Sequence, residues 1–237
     1  MSLDPNPLRL ILSYDVSPFS LDTNHKKKLQ GTSVIRRFSN IKALVLIVFL
    51  ATSLTGEAFA STPSEIVEGF QETLLEVMKE AKTLTVQQRY NRLRPSVEKS
   101  FHIPLMVQIA SGGYWKKATP DERLQLANAF RRMSISTLAT LFDGYSGEVF
   151  KLVDEKPGPQ NTTLVRTKLI KADKSTVDIA YVTRPFKDGW RIIDVILDNG
   201  ISELMVRRSE YRLVLKNKRI PGLIKLLNGK ADELVGQ

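Results

Sequence analysis

The sequence predicts an α+β fold: a curved antiparallel sheet of four strands in a meander, packed against N- and C-terminal helices, an arrangement that can enclose an apolar pocket or hold an ordinary filled core. Three observations predict it. Apolar residues recur at helical spacing from about residue 63 to 143, behind capping sequences. The texture then changes to four short segments rich in Val, Ile, Thr and aromatic residues. Helical spacing returns after Ser202. Helices, then strands, then helices is the order of an α+β domain, and strand connectors this short join only antiparallel neighbours.

The first quarter of the 237 residues stands outside that pattern. Arg36-Arg37 precede the apolar run Ile41–Leu50, which fades into Gly56-Glu57-Ala58-Phe59-Ala60. A basic flank, an apolar stretch shorter than the roughly 20 residues of a membrane span, and a small-x-small ending predict a secretory signal peptide cleaved after Ala60. The alternative is an uncleaved anchor. Residues 1–35 hold turn formers, Lys26-Lys27-Lys28 and no periodicity, which a start codon assigned too early would explain. The expected organisation is therefore an extension plus signal over 1–60 and one domain over 61–237, exported to the periplasm.

Within the domain, Thr62-Pro63-Ser64-Glu65 forms a capping box, and Ile66, Phe70, Leu74, Val77, Met78 and Ala81 make 63–82 an amphipathic helix. A second helix over about 85–100 is expected to be interrupted at Arg94-Pro95. Pro104 opens a short apolar helix to Ser111, closed by Gly112-Gly113. Thr119-Pro120-Asp121-Glu122 repeats the box and starts a long helix to about Asp143, with Leu124, Ala127, Phe130, Leu138, Leu141 and Phe142 apolar. Strands are expected at 147–153, 162–171, 176–184 and 190–198. Ser202 to about Asn217 and a piece from Pro221 close the chain as helix.

Composition narrows the chemistry. Residues 61–237 carry 28 Lys and Arg against 21 Asp and Glu, a net charge of +7 that suits anionic surfaces such as lipid headgroups or acidic proteins. Nucleic acid is a poor partner for an exported chain. Cysteine is absent, which excludes thiol chemistry and disulfides, and His102 alone cannot make a His-rich metal site. Asp194 lies in the apolar run Trp190–Leu197; strict alternation sets Trp190, Ile192, Asp194, Ile196 and Asp198 on one face. A carboxyl in such surroundings has a raised pKa, as a general acid or base requires, and Tyr181 is the conceivable partner in proton transfer. No second acid or phosphate loop accompanies it, so a structural Asp held by an Arg or by backbone amides is the better reading. Tyr114-Trp115-Lys116-Lys117 either touches a lipid interface or covers the core with solvated lysines. Arg131-Arg132 and Arg207-Arg208 are either solvated helix faces or contacts to anionic groups.

The run Gly113-Tyr114-Trp115-Lys116-Lys117-Ala118-Thr119-Pro120-Asp121-Glu122-Arg123, with Phe130 and Tyr145-Ser146-Gly147 after it, resembles the MlaC or toluene-tolerance family of periplasmic lipid-binding proteins. Gly189-Trp190-Arg191, Asp194-Val195, Gly200-Ile201-Ser202 and Gly222-Leu223-Ile224 extend the likeness. Ile201–Leu204 followed by Arg207–Tyr211 is more similar to the hopanoid-associated HpnM branch. The resemblance implies a non-enzymatic monomeric shuttle for phospholipid or a hopanoid-type lipid, without cofactor. Its implied partners are an inner-membrane lipid transporter complex and an outer-membrane lipoprotein. Combined with face alternation, the resemblance places Met106, Ile109, Phe130, Leu138, Phe142, Val165, Ile179, Tyr181, Trp190, Ile192, Ile196 and Leu204 along the lipid pocket.

Overall fold

The computed structural model describes residues 61–198 and 200–236. The expected signal peptide and the extension before it lie outside the described residues. Six helices and one sheet follow in order: α1 (Pro63–Glu80), α2 (Val86–Ser100), α3 (Ile103–Ser111), α4 (Gly113–Lys117), α5 (Pro120–Leu141), β1 (Val149–Gly158), β2 (Thr162–Ile170), β3 (Thr176–Phe186), β4 (Gly189–Leu197), β5 (Ile201–Ser202) and α6 (Glu203–Val235). Three helices begin with complete capping boxes, Thr62/Glu65, Thr85/Gln88 and Thr119/Glu122, in which each side chain satisfies an amide of the other residue.

Three expectations are corrected. The sheet has five strands, in the order β1-β2-β3-β4-β5, because Ile201 and Ser202 pair with Leu197 and Ile196 before the chain turns into α6. Helix α2 runs through Pro95, whose exposed position lets the ring sit outside without breaking the turn that buries Leu93 and Val97. β1 extends to Gly158 rather than ending near 153. It is an edge strand, the place in a sheet where a proline such as Pro157 is tolerated, and the left-handed residues Gln160 (φ 56°) and Asn161 (φ 60°) make the tight reversal into β2. The two expected C-terminal helical pieces are both present within α6, divided by a kink at Arg219 (φ 56°, ψ −161°), two residues before Pro221.

The helices cover one face of the sheet. α1 touches β1 through β4, while α2, α3 and α6 reach β4. Val165, Thr167 and Leu169 on β2 and Val177, Ile179, Tyr181 and Thr183 on β3 are buried beneath them. A second core lies among α2, α3, α5 and α6, filled by Leu93, Val107, Leu126, Ile135, Leu223 and Leu227. Into it reaches Arg89, only 7% exposed. Its guanidinium donates to the carbonyls of Leu84 (2.7 Å), Ala81 (3.2 Å) and Ala139 (2.7 Å). These oxygens lie at and just beyond the C-terminal ends of α1 and α5, where carbonyls lack helical partners and carry the negative end of the dipole. The buried cation is thereby satisfied without an acid.

Candidate functional site

Strict alternation fails on β4, and the reason is a bulge. Thr183 pairs with Ile192 whereas Val182 pairs with Asp194, so Ile193 is an extra residue. Trp190 and Ile192 face the helices before the bulge; Val195 and Leu197 do so after it. Asp194 and Ile196 turn to the opposite face, away from Ile192.

Register also separates the two groups of the proton-transfer alternative. Tyr181 is opposite Val195 and Asp194 is opposite Val182, so consecutive pairs put their side chains on opposite faces. Tyr181 is buried, and burial pushes its hydroxyl up to about 12. It accepts from Gln71 Nε2 at 3.2 Å, and the same nitrogen donates to Thr167 Oγ1 at 3.0 Å. Phe70 packs edge-on to Phe101 (centroids 4.9 Å apart) and to Tyr181 (6.4 Å), tying α1 to the sheet. Gln71 was missed by the sequence reading. It lies one position beside the apolar stripe of α1, and an amide at that spacing is the signal for a polar bridge.

Asp194 is a capping acid. Its Oδ1 accepts from the amides of Val195 (2.8 Å) and Leu204 (3.1 Å), and its Oδ2 accepts from Ser202 Oγ (2.5 Å). Ser202 Oγ in turn accepts from Met205 N at 3.0 Å. Two orphan amides of the first turn of α6 thus end on one serine–aspartate relay. Burial pushes the Asp194 carboxyl up, and these three donors pull it partly back. Glu203 is raised by burial as well, with Arg207 opposing and Asp194 adding like charge. Its Oε1 is buried without a hydrogen-bond partner among the described residues.

The twelve expected pocket residues divide by exposure. Phe130, Val165, Ile179, Tyr181, Ile192 and Leu204 are buried, whereas Met106, Ile109, Leu138, Phe142, Trp190 and Ile196 are half-buried. Val165, Ile179, Tyr181 and Ile192 share the helix-facing side of the sheet. Met106 and Ile109 lie on α3, and Phe130 and Leu138 on α5, which packs against α3. Ile196 turns to the other side, where it lines a cleft of about 320 Å³ with Val153, Arg166, Lys168, Asp178, Ala180 and Asp198, a cleft that Thr167 and Ile179 also border. Ion pairs border that cleft: Arg166 pairs with Asp154, and Lys168 with Asp178. No group of three or more His, Cys, Asp or Glu suited to a metal occurs among the described residues.

A single antiparallel sheet backed on one face by helices is the class this arrangement defines. The same fold occurs in a phospholipid-binding protein from Ralstonia solanacearum, solved in complex with a phospholipid. The two are 17% identical with a TM-score of 0.63, and the match covers 71% of this chain and 96% of that one. The family model described as MlaC protein matches residues 68–229, from the first turns of α1 to the last turns of α6. The chain belongs to the MlaC family.

Proposed function

We propose that the protein binds a lipid of phospholipid or hopanoid type and carries it through the periplasm between a transporter complex of the inner membrane and an acceptor at the outer membrane, without chemical change to the lipid. The supporting observation is the half-buried apolar set Met106, Ile109, Leu138 and Phe142 on the packed helices α3 and α5 and the residue after them. Large apolar side chains that remain partly exposed suit an acyl chain or polycyclic body, and each methylene withdrawn from water contributes roughly 0.8 kcal/mol. Membership in the MlaC family and the fold shared with a phospholipid-binding protein support the same reading. Asp194 serves as a cap, and its separation from Tyr181 by the thickness of the sheet weighs against proton transfer by that pair.

Native mass spectrometry of the purified protein, followed by lipid extraction, tests this. A one-to-one adduct with a lipid released on denaturation is expected, and its mass separates phospholipid from hopanoid. A protein that arrives empty and takes up neither when offered overturns the proposal.

A further inference from the structure

Three elements meet on a surface that the lipid-carrying reading leaves without a role. α4 packs against α6, and Arg208 of α6 lies over Gly112, where a methyl group would stand 3.3 Å from its Nη2. The glycine leaves room for the guanidinium. From the other side, Arg123 near the start of α5 donates to the carbonyls of Trp115 (3.1 Å) and Lys116 (3.2 Å), and its guanidinium sits 5.7 Å from the centre of the Trp115 ring. Tyr114 and Trp115 are half-buried here, their rings neither packed away nor free.

Around them the surface combines cations with protruding apolar groups. Lys116, Lys117, Arg208 and Arg212 are exposed, and none makes an ion pair among the described residues. The nearby acids are engaged: Glu122 in the cap of α5, Asp121 by Gln125, and Glu210 by Arg207. Met205, Arg208 and Arg212 follow one another at helical spacing along α6. Met205 is 47% exposed, Leu213 66%, and Leu124, next to Arg123, 62%. Unpaired cations, an aromatic pair and isolated Leu and Met side chains are what an interfacial element needs to lie on anionic headgroups. A protein-docking face would instead be poor in lysine.

We infer that the face formed by α4, the start of α5 and the first half of α6 docks the protein on an anionic bilayer. The apolar tips enter the headgroup boundary while the four cations meet lipid phosphates. This goes beyond carriage of a lipid and does not require the pocket to be filled.

Co-sedimentation with phosphatidylcholine vesicles, with and without phosphatidylglycerol, tests it. The protein should bind the anionic vesicles and not the zwitterionic ones. At ~1 kcal/mol for each cation at the surface, the triple variant Lys116→Gln, Lys117→Gln, Arg208→Gln should bind about 100-fold more weakly. A control triple of equal net charge, Lys151→Gln, Lys174→Gln, Lys187→Gln, removes exposed lysines of the sheet and its turns and should bind as the parent does. Leu124→Ser with Met205→Ser should weaken binding several-fold without altering charge. Melting curves of every variant confirm that it is folded. Equal losses in both triples would make the attraction one of diffuse net charge and overturn the inference, as would a parent protein indifferent to phosphatidylglycerol. The lipid-carrying reading fails separately, by an empty protein in mass spectrometry.

Discussion

Gln71 and Tyr181, 110 residues apart, are joined inside the protein by a 3.2 Å hydrogen bond between the side-chain amide of α1 and the phenol of β3. Gln71 is 3% exposed and holds Thr167 as well, so this one side chain pins the first helix to two strands. Replacing it by Leu leaves the phenol and a threonine hydroxyl short of a donor in a buried site, at a cost of about 1–3 kcal/mol. Tyr181→Phe removes only one bond and is expected to cost about 1 kcal/mol. Urea denaturation of the two variants measures the difference.

Arg89 presents a larger case. Arg89→Met keeps most of the volume but leaves the Ala81, Leu84 and Ala139 carbonyls without their donor. A loss of about 3 kcal/mol is expected, visible as a lower urea midpoint with unchanged slope. Arg89→Lys should recover only part of it, since an ammonium cannot span three carbonyls as the guanidinium fork does.

The relay at the start of α6 makes a local prediction. Ser202→Ala removes the acceptor for Met205 N and the donor to Asp194, and should destabilise the helix start by about 1 kcal/mol. Hydrogen exchange at the Leu204 and Met205 amides should accelerate while that of α1 does not. Asp194→Asn should leave lipid uptake intact in a folded protein. Loss of a turnover activity in that variant would reinstate the acid as a catalyst.

The pH dependence follows from the directions of the shifts. Asp194 and Glu203 are raised in the folded protein, so the unfolded chain gives up these protons first. Their contribution is fully present below the ordinary carboxyl range near pH 4 and is lost as pH rises through the raised values. Asp154, lowered by Arg166, acts in the opposite sense and loses its contribution on acidification. Glu203→Gln removes one raised group and a like charge beside Asp194. Its thermal unfolding should therefore decline less than the parent's between about pH 4 and pH 7.

For the proposed lipid site, Ile109→Glu places a charge on the half-buried side of α3. Native mass spectrometry should show lipid occupancy falling by more than tenfold, because a carboxylate beside an acyl chain costs at least the ~1.4 kcal/mol that a factor of ten represents. Unfolding by urea should change little, since the side chain can still reach water. A variant that keeps its lipid would move the site away from α3.

Much of this fold is decided locally, and there the sequence by itself sufficed. The boxes Thr62/Glu65 and Thr119/Glu122 are read within four residues, because a cap is a bond between near neighbours. The helical stripes of α1 and α5 and the strand texture of β2 to β4 follow for the same reason, as does the family signature around Trp115 and Trp190. What only the tertiary structure decided are relations between distant segments. The bulge at Ile193, which turns Asp194 and Ile196 away from Ile192, depends on how β4 meets β3; alternation alone carries no record of an extra residue. Gln71 and Arg89 look like surface residues of polar helices until the sheet and the ends of α1 and α5 arrive to bury them. Continuity through Pro95 and the late extension of β1 likewise came from neighbours that outweighed local propensity. Periodicity encodes which side of an element is apolar, while packing determines which apolar sides meet and which polar atoms must find partners between them.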